Sequence, residues 1–226
     1  MNAPMLYSQN RNHVPYYKWN LVPFAREMKK ESDSTELQPA RPMRADAQRK
    51  MQALLQAALE VFAQSGVDAP VREIAERAGV GLGTLYRHFP QRADLIVAVM
   101  KTQIDACADA ARALADEHEP GEALSRWMQR YVEFIATKRG LAGALQSDSA
   151  AYASLPDYFY SRLRPALASL LDAAVESKAI RPGFSADELL KAVATLCYGP
   201  HNEDPTFASR MVTLMVNGLR REPGAA

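Results

Sequence analysis

The sequence predicts an all-α protein built from amphipathic helices joined by short connections. Three observations predict it. Apolar residues recur at spacings of three and four from Asp46 onward, the period of a helix with one buried face. Gly and Pro break that pattern at short connections: Gly66, Gly79 to Gly81, Pro90, Pro120-Gly121, Pro182-Gly183 and Gly199-Pro200. No segment alternates apolar and polar residues with the period of two that a half-buried strand requires.

Residues 1–43 stand apart. Pro4, Pro15 and Pro23 and the aromatics Tyr7, Tyr16, Tyr17, Trp19 and Phe24 follow no period, and the polar run from Lys29 to Ser34 leads to Pro39 and Pro42. The segment reads as a flexible tail, and Met43 offers an alternative start of translation. The first helix carries Met51, Leu54, Leu55, Ala58, Val61 and Phe62 on one stripe and stops at Gly66. Two short helices, Val71 to Ala78 and Leu82 to His88, flank Gly79-Val80-Gly81, and after Pro90 a long helix runs from Ala93 to about Leu114.

Beyond Pro120, a fifth helix presents Leu124, Trp127, Met128, Tyr131 and Ile135, and a connection is expected from Gly140 to Leu155. Leu163, Ala166, Leu167, Leu170, Leu171 and Ala174 mark the next helix, expected to stop at Arg181-Pro182-Gly183. Ser185 and Glu188 form a capping box that opens a helix with Leu189, Leu190, Val193 and Leu196 on its apolar face. The last helix carries Phe207, Met211, Leu214, Met215 and Gly218.

Bulk properties narrow the class. At 226 residues and 48% hydrophobic the chain can bury a sizeable core. Residues 41–101 hold nine Lys and Arg against six Asp and Glu, a net of +3, whereas residues 102–226 hold thirteen against sixteen, a net of −3. A basic front and an acidic back fit a head that faces an anionic partner. No apolar run approaches the roughly 20 residues of a membrane span, and the N-terminus lacks the order of a signal peptide, so a cytoplasmic protein is expected. Cys107 and Cys197 have no metal spacing and read as reduced, packed thiols. His13, His88, His118 and His201 have no ligand spacing and no nucleophile elbow is present, so no metal, cofactor or enzymatic activity is expected.

The informative segment is Pro70 to Phe89, PVREIAERAGVGLGTLYRHF. A helix-turn-helix needs a small residue midway along its first helix, a residue tolerant of positive φ four positions later, and an apolar anchor six beyond that. Ala75, Gly79 and Leu85 supply them in that order, and Ile74, Ala78, Val80 and Phe89 complete the apolar side. Thr84, Tyr86, Arg87 and His88 then point outward, as donors and an aromatic suited to base edges and phosphates in a major groove. The glycines at 79, 81 and 83 also resemble a dinucleotide loop, but that loop must follow a buried strand, and here an amphipathic helix precedes it.

The run from Met51 to Met100 resembles the N-terminal domain of the TetR family. The resemblance rests on Ala58 to Gly66 (ALEVFAQSG), Ile74 to Val80 (IAERAGV), Gly83 to Phe89 (GTLYRHF) and Pro90 to Leu95 (PQRADL), in fixed order over some 50 residues. It implies a DNA-binding domain over 44–104, with the helix-turn-helix at 70–89, and a ligand-binding and dimerisation domain over 105–226. The family's base and phosphate contacts fall on Arg72, Thr84, Tyr86, Arg87, His88 and Arg92, and Arg44, Arg49 and Lys50 are candidates for further phosphate contacts. Gly81 stands where the family often has a capping Ser, Leu82 where a polar residue is common, and Gln91 at the cap of the fourth helix.

The resemblance further implies a homodimer on palindromic operator DNA, assembled through the last two helices. Leu189, Leu190, Val193, Met211, Leu214, Met215 and Gly218 offer the apolar surface expected for that role. Trp127, Met128, Tyr131, Phe134, Tyr152, Phe159, Arg162 and Tyr198 are the candidates to line an effector pocket, with Arg162 favouring an anionic or polar effector. The expected function is a repressor released by a small molecule. The alternatives are a ligand-independent regulator or activator, and a ligand carrier with a vestigial head, which the intact polar residues at 84, 86, 87 and 88 argue against.

Overall fold

Apolar stripes at helical spacing do become helices. The computed structural model describes residues 41–139, 141, 150–198, 204 and 206–221, all within one unit, Gln38–Ala226. The helices are α1 (Arg41–Ser65), α2 (Val71–Arg77), α3 (Leu82–His88), α4 (Arg92–Glu117), α5 (Pro120–Arg139), α6 (Leu155–Glu176), α7 (Ala186–Tyr198) and α8 (Phe207–Leu219), with a 3₁₀ turn at Ala150–Tyr152 before α6. Among the described residues the only extended pairing is an isolated bridge between Ile180 and Arg220. The tail expected over 1–43 lies outside the described residues up to residue 40, and 41–43 already belong to α1. Most of the connection expected from 140 to 155 also lies outside them.

The head closes around α1. Leu54, Ala58, Val61 and Phe62 of α1, Ile74 and Ala75 of α2, Leu85 of α3, and Leu95, Ile96 and Val99 of α4 are all buried. Arg77 spans the α1–α2 seam, reaching Gln64 at 3.1 Å and Glu73 at 3.5 Å. Gly66 ends α1 at φ +78°, a conformation that costs a residue with a Cβ about 1–2 kcal/mol.

α4 runs through both regions. At 26 residues it extends about 39 Å. It begins one residue earlier than the sequence predicts, because Gln91 and Asp94 form a reciprocal capping box. It also continues past Leu114 to Glu117, since nothing before Pro120 interrupts it.

The body packs α4, α5 and α6 face to face, with α7 against α5 and α6, and α8 against α5 and α7. Trp127 of α5 is 0% exposed and donates its indole N–H to the Cys107 carbonyl of α4 at 2.9 Å. Gln129 of α5 fixes α8 by donating to Thr213 Oγ1 at 2.9 Å and accepting from Ser209 Oγ at 2.6 Å. The capping box at Ser185 and Glu188 opens α7, with Ser185 N donating to the Glu188 carboxylate at 2.8 Å. α6 ends earlier than predicted. Lys178 takes a left-handed conformation at φ +61°, and the Ala179 amide turns back to the Ala174 carbonyl at 3.0 Å. That turn buries Ile180 and delivers the Arg181 amide to the Leu219 carbonyl at 2.9 Å.

This packing divides the residues expected to form the dimer surface. Leu189, Leu190 and Val193 do not offer an outer surface: α7 presses them against α5 and α6, and all three are buried within one chain. α8 buries Ala208, Val212, Val216 and Leu219 and thereby turns its other face outward. On that face Leu214 is 65% exposed, Met211 and Met215 are half-buried and Gly218 is exposed. Cys107 and Cys197 are buried free thiols. Among the described residues no helix is long and apolar enough to cross a membrane.

Candidate nucleic-acid interface

The helix-turn-helix is set by three local choices. Ala75 is small enough to be buried where α2 meets its neighbours. Gly79 adopts φ +66°, which lets the Val80 amide return to the Ala75 carbonyl at 3.0 Å and reverses the chain within a few residues. Gly81 then caps α3 through its backbone alone: its carbonyl accepts from the amides of Thr84 at 2.9 Å and Leu85 at 3.2 Å, and no side chain caps the helix.

Leu85 is buried and Phe89 lies at the edge of the core, so α3 is anchored by one side. The rest of its surface faces solvent. Thr84, Tyr86, Arg87 and His88 are exposed, Tyr86 at 49%. Leu82, in the first turn, is also exposed, an apolar group beside the polar row. Arg87 and His88 occupy the last turn, where the negative end of the helix dipole favours cations. Among the described residues Arg87 is paired with no carboxylate.

The other cations proposed for DNA lie further out or turn inward. Arg72 is exposed on α2 and bonds Glu76 at 2.9 Å. Arg49 and Lys50 are exposed on α1 and share Asp46, at 4.0 and 2.8 Å. The Arg44 side chain lies outside the described residues. Arg92 is half-buried, and its Nη1 donates to the Ala69 carbonyl at 2.7 Å and to the Val67 carbonyl.

The residues proposed for an effector pocket separate into three groups. Trp127, Tyr131, Phe134 and Phe159 form one aromatic stack between α5 and α6, with ring centroids 5.7 Å apart for Trp127 and Tyr131 and 6.1 Å apart for Phe134 and Phe159. Trp127 and Met128 are core, fully enclosed by this packing. Tyr152 is buried on the 3₁₀ turn against α4, and Tyr198 is exposed at the end of α7.

Arg162 differs from the expectation most. It bonds Asp105 at 2.6 Å and Asp109 at 2.9 Å, both on α4, so its charge is already answered by two carboxylates. Tyr158 donates its hydroxyl to the same Asp105 at 2.7 Å, and Lys101 lies 5.0 Å from the Tyr158 ring centroid. Burial, and then the neighbouring Asp105, push the Tyr158 phenol above its ordinary value. Sequence reasoning missed Asp105 and Tyr158. The signal was present: Asp105/Asp109 and Tyr158/Arg162 are both i, i+4 pairs, one acidic and one donating, on helices that pack together.

A short polar helix, anchored by one leucine and set across a second helix by a glycine turn, defines a helix-turn-helix protein whose head is carried on a helical body. Known proteins agree. Residues 54–99 match the family of bacterial regulatory proteins described as tetR, and residues 119–221 match the C-terminal domain of SbtR-like transcriptional regulators. A TetR transcriptional regulator of Streptomyces coelicolor is 34% identical, with a TM-score of 0.63 over 75% of this chain and 97% of that one. A TetR transcription regulatory protein of Mycobacterium vanbaalenii is also 34% identical, with a TM-score of 0.63 over 80% of this chain and 100% of that one. An HTH-type transcriptional regulator of Staphylococcus aureus is 27% identical over 128 residues, covering 52% of this chain and 69% of its own. The chain belongs to the TetR family and is a DNA-binding transcriptional regulator.

Proposed function

We propose that the chain is a repressor that binds a palindromic operator as a homodimer and is released by a small molecule. The observation that carries the reading is the row Thr84, Tyr86, Arg87 and His88, exposed on a helix whose opposite side is held by Leu85. Arg87 reads a base or a phosphate, and Tyr86 and His88 add contacts that side chains of this size make in a major groove. Leu82 is suited to a thymine methyl. Arg72, Arg49 and Lys50 supply phosphate contacts that fix register without reading sequence. Arg92, turned toward backbone carbonyls, is the least suited of the set to a phosphate.

Dimerisation is assigned to the outward face of α8, where Met211, Leu214, Met215 and Gly218 remain at least partly exposed. A dimer on one face of the duplex places its two α3 helices about 34–36 Å apart. α4 links that spacing to the body, and an effector lodged against the aromatic stack would tilt it. Moving a 1:99 equilibrium to 99:1 needs an effector preference of about 10⁴-fold for the released state. Linkage then requires operator DNA to weaken effector binding by the same factor.

A ligand-independent regulator is the second reading, favoured by the complete burial of Trp127 and Met128 and the neutralised Arg162.

The test uses a duplex recovered by selection from a randomised pool. Replacing both Tyr86 and His88 by Ala should lower affinity for it by roughly 10²-fold or more, with helicity unchanged because neither residue is in the core. Wild-type affinity in that double variant defeats the reading.

A further inference from the structure

The helix-turn-helix unit is closed by a side chain. Its entry is the α1–α2 loop, and its exit is Phe89, three residues before Arg92 at the start of α4. Arg92 reaches back across 25 and 23 residues to the carbonyls of Val67 and Ala69, on either side of Asp68 in that loop. The two bonds come from one nitrogen, Nη1. They are charge-assisted and half-buried, the setting in which such bonds hold a geometry rather than exchange with water.

The loop's other anchors are the buried Ala69 and backbone bonds at its two ends, Gly66 N to Phe62 O and Glu73 N to Pro70 O, both at 3.0 Å. Pro70 precedes α2 without any side-chain cap, and the loop's own backbone bond, Ala69 N to Gly66 O, is long at 3.3 Å. The 3₁₀ turn packs on α4, and the Arg92 charge acts on the buried Tyr152 phenol, opposing the upward push of burial.

We propose that Arg92 is a positioning residue: it locks the entry of the helix-turn-helix to the first residue of α4, so that α4 sets the attitude of α3 on DNA. The proposal rests on the reading that α3 enters the operator. It differs from a phosphate contact, in which the Arg92 charge would face the duplex and the loop carbonyls would be left to water. It gives α4 a direct hold on the helix-turn-helix beyond the short Phe89 to Gln91 connection.

The experiment compares the full chain with its Arg92→Met and Arg92→Gln variants. Met keeps the apolar stem and removes all donors. Gln also removes the charge but keeps two N–H groups on one nitrogen. Affinity is measured for the selected duplex and for an unrelated duplex across about 50–200 mM salt. Thermal midpoints are recorded alongside.

The expected result for Arg92→Met is a roughly tenfold or greater loss on the selected duplex. The unrelated duplex should be bound almost as before, with the slope of log affinity against log salt unchanged. Arg92→Gln should fall between Met and wild type, and it carries the comparison if Arg92→Met does not fold. A slope shallower by about 0.9, with equal loss on both duplexes, would make Arg92 a phosphate contact and overturn the proposal. A lowered midpoint with an unchanged ratio of selected to unrelated binding would overturn it too, leaving a purely structural bond. If wild type itself does not prefer the selected duplex, or the Tyr86/His88 variant binds it normally, the operator reading fails instead, independently of Arg92.

Discussion

Replacing Trp127 by Phe separates a core residue from a pocket-lining one. The indole is 0% exposed, donates to the Cys107 carbonyl at 2.9 Å and stacks on Tyr131 with centroids 5.7 Å apart. Phe removes the donor and half of the fused ring while keeping an aromatic against Tyr131. The lost buried hydrogen bond costs about 1 kcal/mol, and the void left by the smaller ring costs about 1–2 kcal/mol. A loss of about 2–3 kcal/mol follows, or a thermal midpoint lower by about 4–12 °C for a chain of this size. The assay is denaturant and thermal unfolding at fixed protein concentration, since self-association of the kind proposed would make the midpoint depend on it. Binding to the selected duplex, measured well below the midpoint, should stay within about twofold of wild type, because the substitution is confined to the α4–α5 packing of the body. A variant within about 0.5 kcal/mol of wild type would refute the reasoning, since a ring bordering an open pocket loses little on truncation.

Two further outcomes follow from single residues. Lys178→Gly should raise stability by about 0.5–1 kcal/mol, because Lys178 sits at φ +61° where a Cβ is strained; calorimetry showing a loss would mean that the lysine stem contributes more than the strain costs. Burial pushes the Cys107 thiol from the ordinary 9.0 up to about 12, the nearby Arg130 opposing it and Glu133 adding to it. The folded state therefore holds its proton more tightly than the unfolded chain. That contribution to stability is complete below about pH 9 and is lost as pH rises toward 12. Cys107→Ala should flatten the alkaline decline measured by denaturant titration, and parallel curves for the two proteins would show that this thiol does not cause it.

The sequence by itself determined what depends on neighbours along the chain. Helical period, the stops at Gly66 and Gly79, the capping box at Ser185 and Glu188, and the alternation of buried Leu85 with exposed Thr84, Tyr86, Arg87 and His88 are local properties. Backbone sterics and a 3.6-residue repeat enforce them wherever the helices end up. What one helix presents to another is not local. Both faces of α8 are apolar, and only its packing on α5 and α7 decides that Val212 and Val216 go inside while Leu214 stays out. The same holds for α7, whose leucines looked like a surface until α5 and α6 covered them. Lys178 is illegible for another reason: a lysine in the left-handed region is tolerated only because burial of Ile180 and the bonds to α8 outweigh the strain. Arg92 and Arg162 are two arginines that composition cannot tell apart from solvated or DNA-bound ones. Tertiary structure turned one onto backbone carbonyls and the other onto two aspartates, because a guanidinium takes the nearest fixed acceptors that packing brings within reach.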